Sequence, residues 1–81
     1  MRVRVLLFAI LRDAAGAGEV ALDLPAGATA RDAGAELVGR FPALQAYLPR
    51  IAFAVNRNYA PAQTELHDGD ELALIPPVSG G

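Results

Sequence analysis

Cysteine is absent from this 81-residue chain, and so is lysine. Without cysteine there is no disulfide, no zinc–thiolate site and no catalytic thiol, a pattern that fits a reducing compartment. Without lysine there is no Schiff-base nucleophile and no internal acceptor for an isopeptide bond; the only amine is the N-terminus. Histidine occurs once, as His67, and the lack of a cysteine or serine elbow beside it places it on a surface turn. Basic charge is scarce: seven arginines against nine acidic residues leave a net charge of −2, the wrong sign for a nucleic-acid binder. No apolar run approaches the ~18 residues that cross a bilayer. The start, Met1-Arg2-Val3-Arg4-Val5-Leu6, interleaves charge with apolar residues, unlike the unbroken apolar segment of a signal peptide. A cytoplasmic protein without membrane contact is expected.

What is present suffices for one packed domain. Hydrophobic residues make up 53% of the chain, too much for disorder and enough for one modest core. Val3, Val5 and Leu7 alternate with arginines, and the apolar run continues to Ile10, so a strand is predicted over residues 2–10. Ala14-Ala15-Gly16-Ala17-Gly18 predicts a loop within 11–18, without the strand–GxGxxG–helix context of a nucleotide site. Val20, Leu22 and Leu24 predict a second strand, antiparallel to the first. Thr29 with Asp32 three residues on resembles a capping box, opening a helix over residues 30–40. Gly34 and Gly39 weaken that helix by about 1 kcal/mol each, and Pro42 ends it. A short helical turn over 43–48, a strand over 51–55, a tight turn at Asn56-Arg57-Asn58, an irregular stretch over 59–65 with Pro61, a polar turn over 66–70 and a last strand over 71–75 complete the chain. Asp68, Asp70 and Glu71 suit that turn better than a metal site, for which an EF-hand needs a twelve-residue loop.

The order strand, strand, helix, strand, strand predicts an α+β fold, with a mixed sheet and one main helix across one face. The first and last strands then lie parallel, the β-grasp or ubiquitin-like arrangement. No internal repeat or linker interrupts it.

Pro76-Pro77-Val78-Ser79-Gly80-Gly81 follows the last strand. The prolines restrict φ and cannot continue a sheet. Two glycines without Cβ atoms make a thin thread, and four residues beyond Pro77 span roughly 14 Å when extended. The expected division is a β-grasp domain over residues 1–76 and a flexible tail over 77–81. With no catalytic set elsewhere, the Gly81 carboxyl is the likeliest reactive group. Leu72 and Leu74 are assigned to the helix side of the sheet, which turns Ala73 and Ile75 outward. Leu6, Phe8 and Ile10 share the outward parity of the arginines. An apolar face beside the tail fits a docking surface.

Taken together, Arg4-Val5-Leu6-Leu7-Phe8-Ala9-Ile10-Leu11-Arg12, Ala54-Val55-Asn56, Asp68-Gly69-Asp70-Glu71-Leu72-Ala73 and the Pro-Pro-Val-Ser-Gly-Gly end resemble the molybdopterin synthase small subunits, the MoaD family of sulfur carriers, over the full length. The resemblance implies that Gly81 is adenylated by an E1-like enzyme of the MoeB type, which uses ATP, and that a sulfurtransferase then converts it to 1-thioglycine. It implies that Gly80, Ser79, Val78 and Pro77 enter a large subunit of the MoaE type, where the thiocarboxylate gives sulfur to a cyclic pyranopterin precursor. Phe8, Tyr59 and Ile75 match apolar interface positions, and Arg12 matches an ion-pair position. No stably bound cofactor or metal is implied. Ser79 stands where threonine also occurs. Alternatives are a related diglycine carrier for thiamin or tRNA thiolation, and a ubiquitin-like protein modifier.

Overall fold

The structure, a computed structural model, describes residues 1–77. Strand β1 (Arg2–Leu7) pairs antiparallel with β2 (Glu19–Asp23), Arg2 opposite Asp23 and Leu6 opposite Glu19. Val3, Val5 and Leu7 are buried, as the period-two pattern requires. The strand does not run to Ile10. Phe8 is still extended (φ −120°, ψ 153°), but it precedes helix α1 (Ala9–Ala15) and its carbonyl accepts from the N–H groups of Leu11 and Arg12. Leu7 and Leu11, one helical turn apart, are both buried. An unbroken apolar run therefore conceals a change of period at Phe8. Gly16 closes α1 in the left-handed conformation (φ 75°), which glycine adopts without a Cβ penalty. The predicted loop over 11–18 is thus mostly helix.

Helix α2 (Ala30–Arg40) opens with the full capping box. Thr29 Oγ1 accepts from the Asp32 N–H at 3.2 Å, and the Asp32 carboxylate accepts from the Thr29 N–H at 2.9 Å. Its buried stripe is Ala30, Ala33, Gly34 and Leu37. Gly34 is there for a packing reason: a Cβ would stand 3.1 Å from Leu48 Cδ1. Two 3-10 turns, Pro42–Ala46 and Leu48–Arg50, bring the chain to β3 (Ala52–Val55). Asn56 and Arg57, both with positive φ (50° and 72°), form the turn into β4 (Asn58–Ala60). This is the type I′ pattern that matches strand twist. Residues 59–65 are therefore not wholly irregular; pairing persists to Ala60 and stops at Pro61, which has no N–H to donate.

Strand β5 (Glu71–Ile75) lies between β1 and β3, giving the order β2-β1-β5-β3-β4. β1 and β5 are parallel, and all other pairs are antiparallel. Ala30, Ala33 and Leu37 of α2 share one core with Val3, Val5, Leu7, Leu22, Leu72 and Leu74 of the sheet. This is the ubiquitin-like β-grasp, with a second, shorter helix after β1. Among the described residues no helix is long and apolar enough to cross a membrane.

Candidate functional site

The sheet face opposite α2 carries one cross-strand row: Leu6 on β1 faces Ala73 on β5, Ala73 faces Ala54 on β3, and Ala54 faces Tyr59 on β4. The alanines of the two inner strands make a low floor. Leu6 and Tyr59 flank it, Phe8 and Ile75 rise at one end, and Arg57 and Glu71 stand at the other. Together they line a shallow depression of about 350 Å³. Strand parity explains it: Leu72 and Leu74 point to the core, so Ala73 and Ile75 point away. Phe8 and Tyr59 are 46% and 77% exposed, so two aromatic rings stand in water beside an apolar floor.

A charged network fixes the far end. Glu71 is in register with Arg4, and Arg4 Nη2 donates to Glu71 Oε1 at 2.6 Å. Arg57 Nε lies 3.9 Å from Glu71 Oε2. The Asn56 backbone N–H donates to the Glu71 carbonyl at 2.8 Å, and Asn56 Oδ1 accepts from the Glu71 N–H at 3.0 Å. Asn56 Nδ2 donates to Asp70 Oδ1 at 2.9 Å, and the His67 N–H donates to Asp70 Oδ2 at 2.8 Å. The Asn56 hydrogen bond holds the Asp70 carboxyl below its ordinary range; desolvation opposes this, and the His67 N–H and ring support it. Asp68 accepts from the Arg2 N–H at 2.7 Å. Asp68, Asp70 and Glu71 are thus each engaged by a different protein donor, which is why they cluster.

Of the residues expected at the site, Phe8, Tyr59 and Ile75 converge on the depression. Arg12 does not line it. It is exposed on α1, with its side chain across Gly18, where a Cβ would be 3.4 Å from Arg12 Nε. Ile10 is also on α1, not on the sheet, and is 45% exposed outside the depression. Pro77 ends the described chain two residues beyond β5; Val78, Ser79, Gly80 and Gly81 lie outside the described residues. Ala54, Arg57 and Glu71 line the depression without having been singled out from sequence. Their signal was the Asn56-Arg57 turn, which sets Ala54 opposite Tyr59 once β4 is recognised.

A family-wide sequence profile, that of the ThiS family, matches residues 5–81. The chain belongs to the ThiS family. Among ThiS-family relatives, the molybdopterin synthase sulfur carrier subunit of Chlamydomonas reinhardtii is 41% identical over 83 residues, covering all of both chains. The crystal structure of SAMP1 from Haloferax volcanii superposes with a TM-score of 0.91 at 37% identity, again over all of both chains. A chain of the complex of subunits 1 and 2 of the molybdopterin-converting factor from Helicobacter pylori matches over all of both chains with a TM-score of 0.72. At 24% identity that likeness is one of fold.

Proposed function

We propose that this chain is a sulfur carrier, the small subunit of a molybdopterin synthase. The observation that carries the proposal is the apolar depression around Phe8, Tyr59 and Ile75, placed beside the strand that leads to Pro76-Pro77 and the diglycine end. The C-terminal residues 77–81 act as the tail and residues 1–76 as its carrier domain. The depression docks on a large subunit of the MoaE type and so directs the tail into that subunit's pocket. The likeness to named sulfur carrier subunits over the whole chain supports the same assignment.

The chemistry resides at Gly81. A carboxylate is a poor electrophile, so an E1-like enzyme of the MoeB type first joins it to AMP from ATP, releasing pyrophosphate. A sulfurtransferase then replaces the C–O bond to AMP with a C–S bond. The thiocarboxylate is a soft nucleophile at neutral pH; it attacks the cyclic pyranopterin precursor, and hydrolysis of the acyl–sulfur bond leaves sulfur on the pterin and restores the carboxylate. Two such donations complete a dithiolene. The setting is the cytoplasm, where the nucleotide-dependent activation takes place.

Deleting Gly81 tests this. Reconstitution of the truncated chain with activating enzyme, sulfur donor and large subunit is expected to abolish pterin conversion; undiminished conversion would sink the proposal. A second role as a ubiquitin-like modifier is favoured by the TM-score of 0.91 with SAMP1, a protein whose name is small archaeal modifier protein 1. Mass spectrometry of digested host proteins would detect it as a glycine adduct on target lysines that disappears with Gly81.

A further inference from the structure

The β3–β4 turn places a non-glycine residue where glycine is favoured. A type I′ turn needs positive φ at both central residues and prefers glycine at the second; here the second is Arg57, at φ 72°. The turn is held by the hydrogen bonds of Asn56 to Glu71 and Asp70, so the direction in which Arg57 leaves the backbone is fixed. Its side chain is 89% exposed. Among the described residues its guanidinium makes no hydrogen bond, and its ionic neighbour is Glu71 at 3.9 Å. Glu71 is already bound by Arg4 at 2.6 Å. One carboxylate therefore faces two guanidinium groups, which leaves a surplus positive charge on the rim of the apolar depression that Arg57 itself lines.

The geometry points to Arg57 as a specificity-determining contact of the docking face, recognising a side-chain carboxylate on the large subunit that covers the depression. This rests on the docking function proposed above and adds to it the chemistry of the partner's rim. The surrounding Leu6, Phe8, Tyr59 and Ile75 require an apolar contact from the same partner, and the chain's net charge of −2 disfavours a polyanion. An acidic residue beside an apolar protrusion on a protein satisfies both. Rim charges act mainly on encounter rate and on partner choice, with strong dependence on salt.

The test measures association with the purified large subunit from the same organism, at low and at high salt, for the wild type, Arg57→Gly, Arg57→Glu and Phe8→Ser. Arg57→Gly removes the guanidinium and also relieves the left-handed backbone, so a weaker complex cannot be assigned to misfolding. The expected result is an association rate about three- to tenfold lower for Arg57→Gly at low salt, with a larger drop for Arg57→Glu, and convergence with the wild type at high salt where screening removes the ionic part. An unchanged rate and salt slope for Arg57→Gly, with Phe8→Ser still weakened, would overturn the role of Arg57 alone. A wild type that fails to bind the large subunit, or a Phe8→Ser variant that binds as well as wild type, would overturn the docking function together with it.

Discussion

Leu6 of β1 lies in register with Ala73 of β5, and both face away from α2. The parallel pairing of the first and last strands thus does two things at once. On the inner face it joins Val5 to Leu72 and Leu7 to Leu74 in the core. On the outer face it places Leu6 and Phe8 beside Ala73 and Ile75, at the point where the chain leaves the sheet for Pro76. The docking face and the base of the tail are held by the same strand, so a partner that grips one positions the other.

Phe8 and Tyr59 should therefore matter for docking far more than for folding. Tyr59 is 77% exposed and Phe8 46%, so truncating either leaves the core intact. Tyr59→Ala and Phe8→Ala are each expected to change unfolding free energy by less than about 1 kcal/mol. Each should weaken binding to the large subunit by about tenfold or more, as aromatic anchors at interface centres do. Urea denaturation and calorimetric titration of the same samples separate the two effects.

The two helix glycines should respond differently to alanine. Gly39 is exposed and a Cβ there meets nothing within 4 Å, so Gly39→Ala should stabilise by up to about 1 kcal/mol through helix propensity. At Gly34 the same gain is opposed by Leu48 Cδ1, which a Cβ would approach to 3.1 Å. Gly34→Ala should fall clearly short of Gly39→Ala, and thermal melts of the two variants decide it.

Asp70 should give the fold part of its acid sensitivity. Its carboxyl is held below the ordinary range by Asn56, and its side chain is 14% exposed. A carboxylate with a depressed folded-state pKa contributes stability that is complete above its unfolded value, about 3.9, and is lost as pH falls through the folded value. Asp70→Asn should thus lower stability at pH 7 by about 1–2 kcal/mol through lost hydrogen bonds and make the decline below about pH 4 shallower than in wild type. Asp23 is also held low, by Arg2, but both side chains lie in water at 74% and 71% exposure. Asp23→Asn should leave the acid limb almost as it was, because solvent screens such pairs. Denaturation midpoints between pH 2 and pH 7 check both variants.

These contrasts mark what the sequence made legible. Alternating Val3, Val5 and Leu7, the Thr29–Asp32 box and the Leu72–Leu74 pair were enough to order the main elements and to place β1 beside β5. Helix α1 was hidden because Leu7-Phe8-Ala9-Ile10-Leu11 is apolar at every position, so period two and period 3.6 fit equally; only the closing Gly16 and the Leu7–Leu11 spacing favour the helix. Strand β4 was hidden by its length of three residues and by Pro61 directly after it. Phe8, Tyr59 and Ile75 could be named without either element, but Arg57 could not. Its place on the face depends on the β3–β4 pairing and on a backbone conformation that arginine seldom adopts.

That conformation yields a stability prediction of its own. A left-handed backbone costs an L-residue with a Cβ roughly 1 kcal/mol or more, and glycine is free of that cost. Arg57 has φ 72° and forms no hydrogen bond among the described residues that would offset it; its single ionic neighbour at 3.9 Å is worth little at 89% exposure. Arg57→Gly should therefore raise stability by about 1 kcal/mol, or a melting temperature higher by about 4–8 °C for a domain of this size. Arg57→Ala keeps the Cβ and loses the charge, so it should show no such gain. A rise for glycine without one for alanine would assign the effect to the backbone. It would also show that the fold carries a more stable residue within reach at this position and holds an arginine there instead, at the rim of its docking face.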